Sequence, residues 1–266
     1  MTTDLARMIA EAYRWQRRLG GQHIVGTHCH IVADRDHPNV WDTNHADNVT
    51  AQSEPEFDSV FAQMDEHLGH CRWRVIHTDC FAPDRFVARL ALDNFEERPV
   101  TIQMALRGTL TDRGAAIDLR PVAGEADWAA LLQLVRADHA EGRRTHGLSL
   151  SPEFSAAQVA TFRAKSAAYH FHLVINAGVA VAYGAYAAAP NGVGMIEDLF
   201  TLQAARRRGI GTAMIAAFSD RLRGLGCHPI FLGALASEQP KHLYARLGFR
   251  PVMLARTWVR AVPHHI

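Results

Sequence analysis

The stretch Arg206-Arg207-Arg208-Gly209-Ile210-Gly211-Thr212 combines residue types and spacing into a chemical device. An apolar strand pattern runs into it and an amphipathic helix pattern leaves it, so its glycines sit at a helix entry. The first amide N–H groups of a helix have no intrahelical partners and carry the positive end of the dipole. Glycine lets that backbone approach a ligand without a Cβ in the way, and neighbouring arginines add charge-assisted hydrogen bonds. The device is an anion cradle suited to phosphate. A Walker A loop needs Lys-Ser/Thr after its last glycine, whereas Gly211 is followed by Thr212-Ala213. A dinucleotide fingerprint needs G-x-G-x-x-G/A, whereas Gly209-Ile210-Gly211-Thr212-Ala213-Met214 ends in methionine. The competing reading is a plain helix entry with solvated arginines.

Sixteen histidines raise the question of a metal. His28 and His30 share a face if Gln22 to Ala33 is one strand, but no third ligand is identifiable, so no metal is expected. Pro38 to Asn44 concentrates turn formers around Trp41, as a pocket wall or a packed turn. Pro263-His264-His265 reads as a tail.

The elements that must position the cradle follow from periodicity. Past a polar, glycine-containing seam at Arg107 to Gly114, the pattern predicts a strand over Ala116–Val122 and a helix capped by Asp127. A loop over Arg143–Pro152 and a helix over Ala156–Ala167 follow. Strands over His170–Ile175, Val179–Ala188 and Gly194–Leu202 form a meander that empties into the cradle. A helix over Gly211–Arg223, a strand over Pro229–Leu232, a helix over Glu238–Leu247 and a strand over Phe249–Val259 complete the half. The first half predicts helices over Asp4–Leu19, Glu56–Leu68 and, capped by Asp84, Arg85–Leu92. Its strands fall over Gln22–Ala33, Arg72–His77 and Val100–Leu106. The fold class is α/β, with expected domains over residues 1–112 and 113–266.

The halves echo one another. Phe86-Val87-Ala88-Arg89-Leu90 resembles Leu243-Tyr244-Ala245-Arg246-Leu247 at an offset of 157 (87 to 244), and Cys71 precedes Cys227 by 156. Duplication and chance both account for this, and nothing near Val49-Thr50 reproduces the glycine loop.

Composition narrows the setting. The 266 residues are 48% hydrophobic and 21% charged with a formal net charge of +1, enough for one large or two modest cores. Near-neutrality argues against a nucleic-acid or membrane-surface partner. Lys165 and Lys241 are the only lysines, so positive charge is almost all arginine. Four scattered cysteines without a C-x-x-C pair, no signal-peptide pattern and no spanning segment predict a cytoplasmic protein with reduced thiols.

R-x-x-G-x-G between a strand and a helix resembles the acyl-CoA loop of the GNAT superfamily of N-acetyltransferases. Met195 to Leu202 is similar to the strand before that loop, Leu243 to Phe249 to the family's late helix with its tyrosine and Gly-Phe exit, and Ala116 to Asp127 to its opening. The resemblance covers about Ala116 to Trp258 and implies a GNAT-like mixed sheet with flanking helices. The first half would be a degenerate GNAT-like domain without a CoA loop. It implies direct acetyl transfer from acetyl-CoA to a primary amine, on a small molecule or a peptide. It implies that Arg206 opens the motif and that the backbone of Arg207, Arg208, Gly209, Ile210, Gly211 and Thr212 holds the pyrophosphate. It also implies that main-chain groups of Leu199, Phe200 and Thr201 pair with the pantetheine arm. On that strand Glu197 is the candidate general base, its pKa raised by partial burial, while Asp198 faces away if the strand is regular. Tyr244 is the candidate acid toward sulfur. Where the family often has asparagine seven residues before that tyrosine, this chain has Ser237, either a contact to the CoA arm or an N-cap ahead of Glu238. A homodimer is compatible with this reading. The alternative is a non-catalytic acyl-CoA-binding regulatory module.

Overall fold

The computed structural model describes residues 2–146 and 151–262. The elements run α1 (Thr2–Arg18), β1 (Gln22–Val25), β2 (His30–Ala33), β3 (His45–Asp47), α2 (Glu54–His67), β4 (Trp73–Thr78), α3 (Asp84–Leu92), β5 (Glu96–Glu97) and β6 (Thr101–Leu106). There follow β7 (Asp118–Pro121), α4 (Glu125–His146), α5 (Pro152–Ala164), β8 (Tyr169–Asn176), β9 (Val179–Ala188), β10 (Gly194–Thr201), α6 (Ile210–Gly224), β11 (Ile230–Leu235), α7 (Pro240–Leu247) and β12 (Phe249–Ala261). The chain divides into two compact units, the first holding residues 2–103, 234–241 and 251–262, the second residues 104–233 and 242–250.

In the first unit β1 and β2 pair antiparallel, β2 and β3 antiparallel, and β3 and β4 parallel. The Arg256–Ala261 end of β12 pairs antiparallel with β4. Alternation along β2 and the faces of α2 and α3 bring Ile31, Phe57, Val60, Met64, Phe86 and Leu90 into one core. An Arg18–Asp47 ion pair (3.0 Å), buried on the Asp47 side, ties the end of α1 to β3.

The second unit repeats the pattern. β8 and β9 pair antiparallel, β9 and β10 antiparallel, and β10 and β11 parallel, with β7 added beyond β8. The last parallel pair is Ala46↔Ile76 in the first unit and Ile196↔Leu232 in the second. The offset is thus 150 residues on one strand (46 to 196) and 156 on the other (76 to 232). The six-residue difference falls between strand and helix, where Gln52 and Ser53 stand in for Leu202 to Gly209. The first unit is the same motif with the cradle excised. Cys71 and Cys227 keep the 156 register, whereas the Ala-Arg-Leu match in α3 and α7 is one residue out of it.

Several expectations are corrected. Gln22 to Ala33 is a hairpin, not one strand, because Gly26 N–H donates to the Cys29 carbonyl (2.9 Å) and closes a turn. His28 sits in that turn and shares no strand face with His30, whose Nδ1 instead lies 3.2 Å from His23 Nε2. Among the described residues no group of three or more His, Cys, Asp or Glu could hold a metal. Asp127 is not the cap of α4; it is the third residue of the helix and accepts from the N–H groups of Ala123 and Gly124 (3.0 and 3.1 Å). Asp84 is likewise the first residue of α3, after Pro83. Arg143 to His146 continue α4, residues 147–150 lie outside the described residues, and Ser151 caps α5 by accepting from Phe154 N–H. α7 starts at Pro240, so Ser237 is not its cap. Asn44 settles the nature of its turn, donating to the carbonyls of His37 and Val40 and accepting from Asp34 N–H. The expected tail, Pro263-His264-His265, lies outside the described residues.

The four cysteines are free, and no helix among the described residues is long and apolar enough to cross a membrane.

Candidate active site

The strand that should carry the reacting groups is not regular. β10 shifts register against β9 between Glu197 and Phe200, and Asp198 at the bulge adopts φ 53°. The expectation that Asp198 simply faces away from Glu197 fails, because a bulge breaks the period-two alternation. Asp198 is anchored by Tyr169, whose hydroxyl donates to Oδ2 at 3.1 Å. Glu197 is half-buried opposite Ala185 of β9. Parallel pairing with β11 ends at Ile196↔Leu232, so β10 beyond that point is not laddered to β11. Leu199, Phe200 and Thr201 lie in this released stretch. Leu199 packs where a Cβ on Gly184 would stand, 2.7 Å away, and the Phe200 ring lies 5.8 Å from that of Tyr183.

After a 3-10 turn over Gln203–Ala205 the loop reverses through two left-handed residues, Arg207 (φ 62°) and Gly209 (φ 77°), and α6 begins at Ile210. The first helical bond from this turn is Ala213 N–H to the Gly209 carbonyl (3.0 Å), leaving the amides of Ile210, Gly211 and Thr212 as the open end of α6. A Cβ on Gly211 would meet nothing within 4 Å, so the cradle is open on that side. It is closed behind: a Cβ on Gly209 would meet Ala115 N at 3.0 Å, and one on Gly114 would meet Ala213 N and Gly209 O at 2.5 Å. The end of the seam, at Gly114 and Ala115, therefore braces the loop.

The arginines divide. Arg207 and Arg208 are exposed beside the helix terminus. Arg206, also exposed, is instead engaged, donating to the Thr201 carbonyl (2.8 Å) and pairing with Glu141 of α4 (2.7 Å). It ties strand to helix in this structure. The donor set fits a pyrophosphate: open amides, a glycine with clearance and two exposed guanidinium groups.

Sequence reasoning missed Asp138. It sits one turn on from Leu134 and Val135 on the buried face of α4 and accepts from Tyr183 Oη at 2.9 Å. Burial pushes its carboxyl up to about 6; the Tyr183 hydrogen bond opposes this, while the charges of Asp198 and Glu141 add to it. Burial and the nearby carboxylates hold the Tyr183 phenol well above its usual range. The available signal was an acid on the apolar stripe of an amphipathic helix.

Tyr244 is buried in α7, its ring 6.4 Å from that of Phe249. Ser237 lies exposed in the turn between β11 and α7, within the first unit's share of the chain.

An antiparallel meander, a bulged strand splaying from a parallel neighbour and an open helix terminus together make a GNAT-like fold. Residues 128–249 match the acetyltransferase (GNAT) family. Among solved structures, the fold is similar to that of a GCN5-related N-acetyltransferase from Kribbella flavida (18% identity, covering 98% of this chain and 97% of that one, TM-score 0.66). It is also similar to a functionally unknown conserved protein from Staphylococcus epidermidis (12% identity, 91% and 95% covered, TM-score 0.67). A tandem GNAT protein from the clavulanic acid biosynthesis pathway aligns as well (12% identity, 83% and 76% covered, TM-score 0.57). No curated protein matches the chain.

Proposed function

We propose that the second unit transfers an acetyl group from acetyl-CoA to a primary amine on a small molecule or peptide. The observation that carries this reading is the open terminus of α6 directly after the bulged end of β10. The backbone of Arg207 to Thr212 would hold the pyrophosphate, and main-chain groups of Leu199, Phe200 and Thr201 the pantetheine arm. Glu197 takes the proton of the ammonium acceptor, directly or through water. The amine nitrogen then attacks the thioester carbonyl, the C–S bond breaks, Tyr244 protonates the departing thiolate, and the second proton lost from nitrogen restores the phenol. Asp138, Glu141, Glu197 and Asp198 bring negative charge to this unit, which favours an acceptor that arrives as a cation. In this reading the protein works in the cytoplasm without nucleic acid or membrane, as a monomer or homodimer.

Isothermal titration with acetyl-CoA, followed by CoA-thiol release across an amine panel, tests the proposal. Tight binding without release for any amine would replace the enzyme with an acyl-CoA-binding regulatory module. No binding would remove the cradle from the account.

A further inference from the structure

Excision of the cradle from the first unit leaves the strand splay behind it intact. Asn48 stands 150 residues before Asp198 and adopts the same left-handed backbone, φ 51° against 53°. β3 and β4 share the single pair Ala46↔Ile76 and are not paired beyond it. In that gap lies a cavity of about 180 Å³, bordered by Asn48, Val49 and Thr50 from the β3 side and by His77, Thr78 and Asp79 from β4. Arg7 and Arg14 of α1 form a third wall, with Phe81 and Ala82. By the register above, the cavity corresponds to the splay of the second unit.

Its chemistry is different. Asp79 pairs with Arg14 at 3.2 Å, and its other oxygen accepts from Phe81 N–H, so those charges cancel. Arg7 is left, its guanidinium 4.8 Å from the centre of the Phe81 ring. His77 is 6% exposed; its Nδ1 lies 3.0 Å from Thr257 Oγ1, and its Nε2 is buried with no hydrogen-bond partner. Nε2 has no accessible surface, so His77 closes the inner wall of the cavity and is not a donor to it. One net positive charge and an apolar wall from Val49, Phe81 and Ala82 suit an anion with a short apolar tail. The volume is below the roughly 300–1,000 Å³ of sites that enclose larger ligands, and no pyrophosphate loop is present. We propose that this cavity binds a small monocarboxylate, its carboxylate held by Arg7 and its tail against Val49, Phe81 and Ala82.

Saturation-transfer NMR on the full chain, with propionate as probe and propionamide as its neutral counterpart, tests this. Propionate should give a saturable response below about 10 mM, and propionamide none. Arg7→Glu, on the exposed face of α1, should weaken binding at least about tenfold, while Arg7→Lys should stay within about threefold of the parent. Gly211→Glu, which blocks the cradle of the second unit, should leave propionate binding unchanged; this separates the site from the acyltransferase reading. Three results overturn the proposal: no saturable response, equal binding of propionamide, or undiminished binding by Arg7→Glu. A tripeptide binding more tightly than propionate through its terminal carboxylate also overturns it, by assigning the site to a protein terminus.

Discussion

The Tyr183 hydroxyl donates to Asp138 Oδ2 at 2.9 Å, joining the central meander to the helix laid over it. With Tyr169 and Asp198 it forms the second of two phenol–carboxylate pairs in the same unit.

Asp138 should make stability fall with pH. Its folded pKa, about 6, lies above the ordinary 3.8, so the native state holds the extra proton between those values. Stability is full at acid pH on this account, declines as pH rises through that window, and stays lowered above 6. Asp138→Asn removes the decline and should raise stability at pH 7.5 by about 2 kcal/mol, read by urea denaturation at pH 5 and 7.5. An identical pH dependence in the variant would discard the assignment.

The two glycines of the loop should fail differently. Gly209→Glu places a side chain on a left-handed residue against Ala115 and should cost about 1–3 kcal/mol as well as CoA affinity. Gly211→Glu meets open space, so it should fold normally yet lose CoA binding, because a carboxylate occupies the anion's place. Calorimetry and thermal melts on both variants separate cradle from scaffold; full CoA affinity in Gly211→Glu would disprove the cradle.

Tyr244→Phe keeps the buried ring and removes the proton. Turnover should fall about 10²-fold with CoA affinity nearly unchanged. An unaltered rate assigns Tyr244 to packing alone.

Asp47 stands at the position of Glu197 but serves the fold. Burial would raise its carboxyl, yet His45, 3.9 Å away, and the Arg18 guanidinium outweigh that and hold it down at about 2. A depressed carboxylate contributes stability above its unfolded pKa and loses it as pH falls through the window from about 4 to 2. Asp47→Ala strands Arg18 and should cost about 3 kcal/mol at pH 7, measured by denaturant unfolding. A loss below about 1 kcal/mol would mean that Arg18 finds solvent.

Periodicity and turn chemistry determined the meander of the second half, the helix after the loop and the open glycine cradle, because these are set by neighbours in sequence. Val179–Ala188 was legible to the residue. Adjacent residues cannot report a bulge, so Asp198 was misplaced, and a strand-length apolar run at Gln22 concealed a hairpin closed by one Gly26–Cys29 bond. Arg206 belonged to the motif by spacing, but only folding sets Thr201 and Glu141 within its reach. Duplication was suspected from two short matches. It became legible when parallel pairing matched Ala46–Ile76 with Ile196–Leu232, because hydrogen-bond register is retained where side-chain identity drifts. The anion cradle was thus written locally. The charge of Asp138, the bracing of Gly209 by Ala115 and the cavity behind His77 depend on residues distant in sequence, and only tertiary packing decides them.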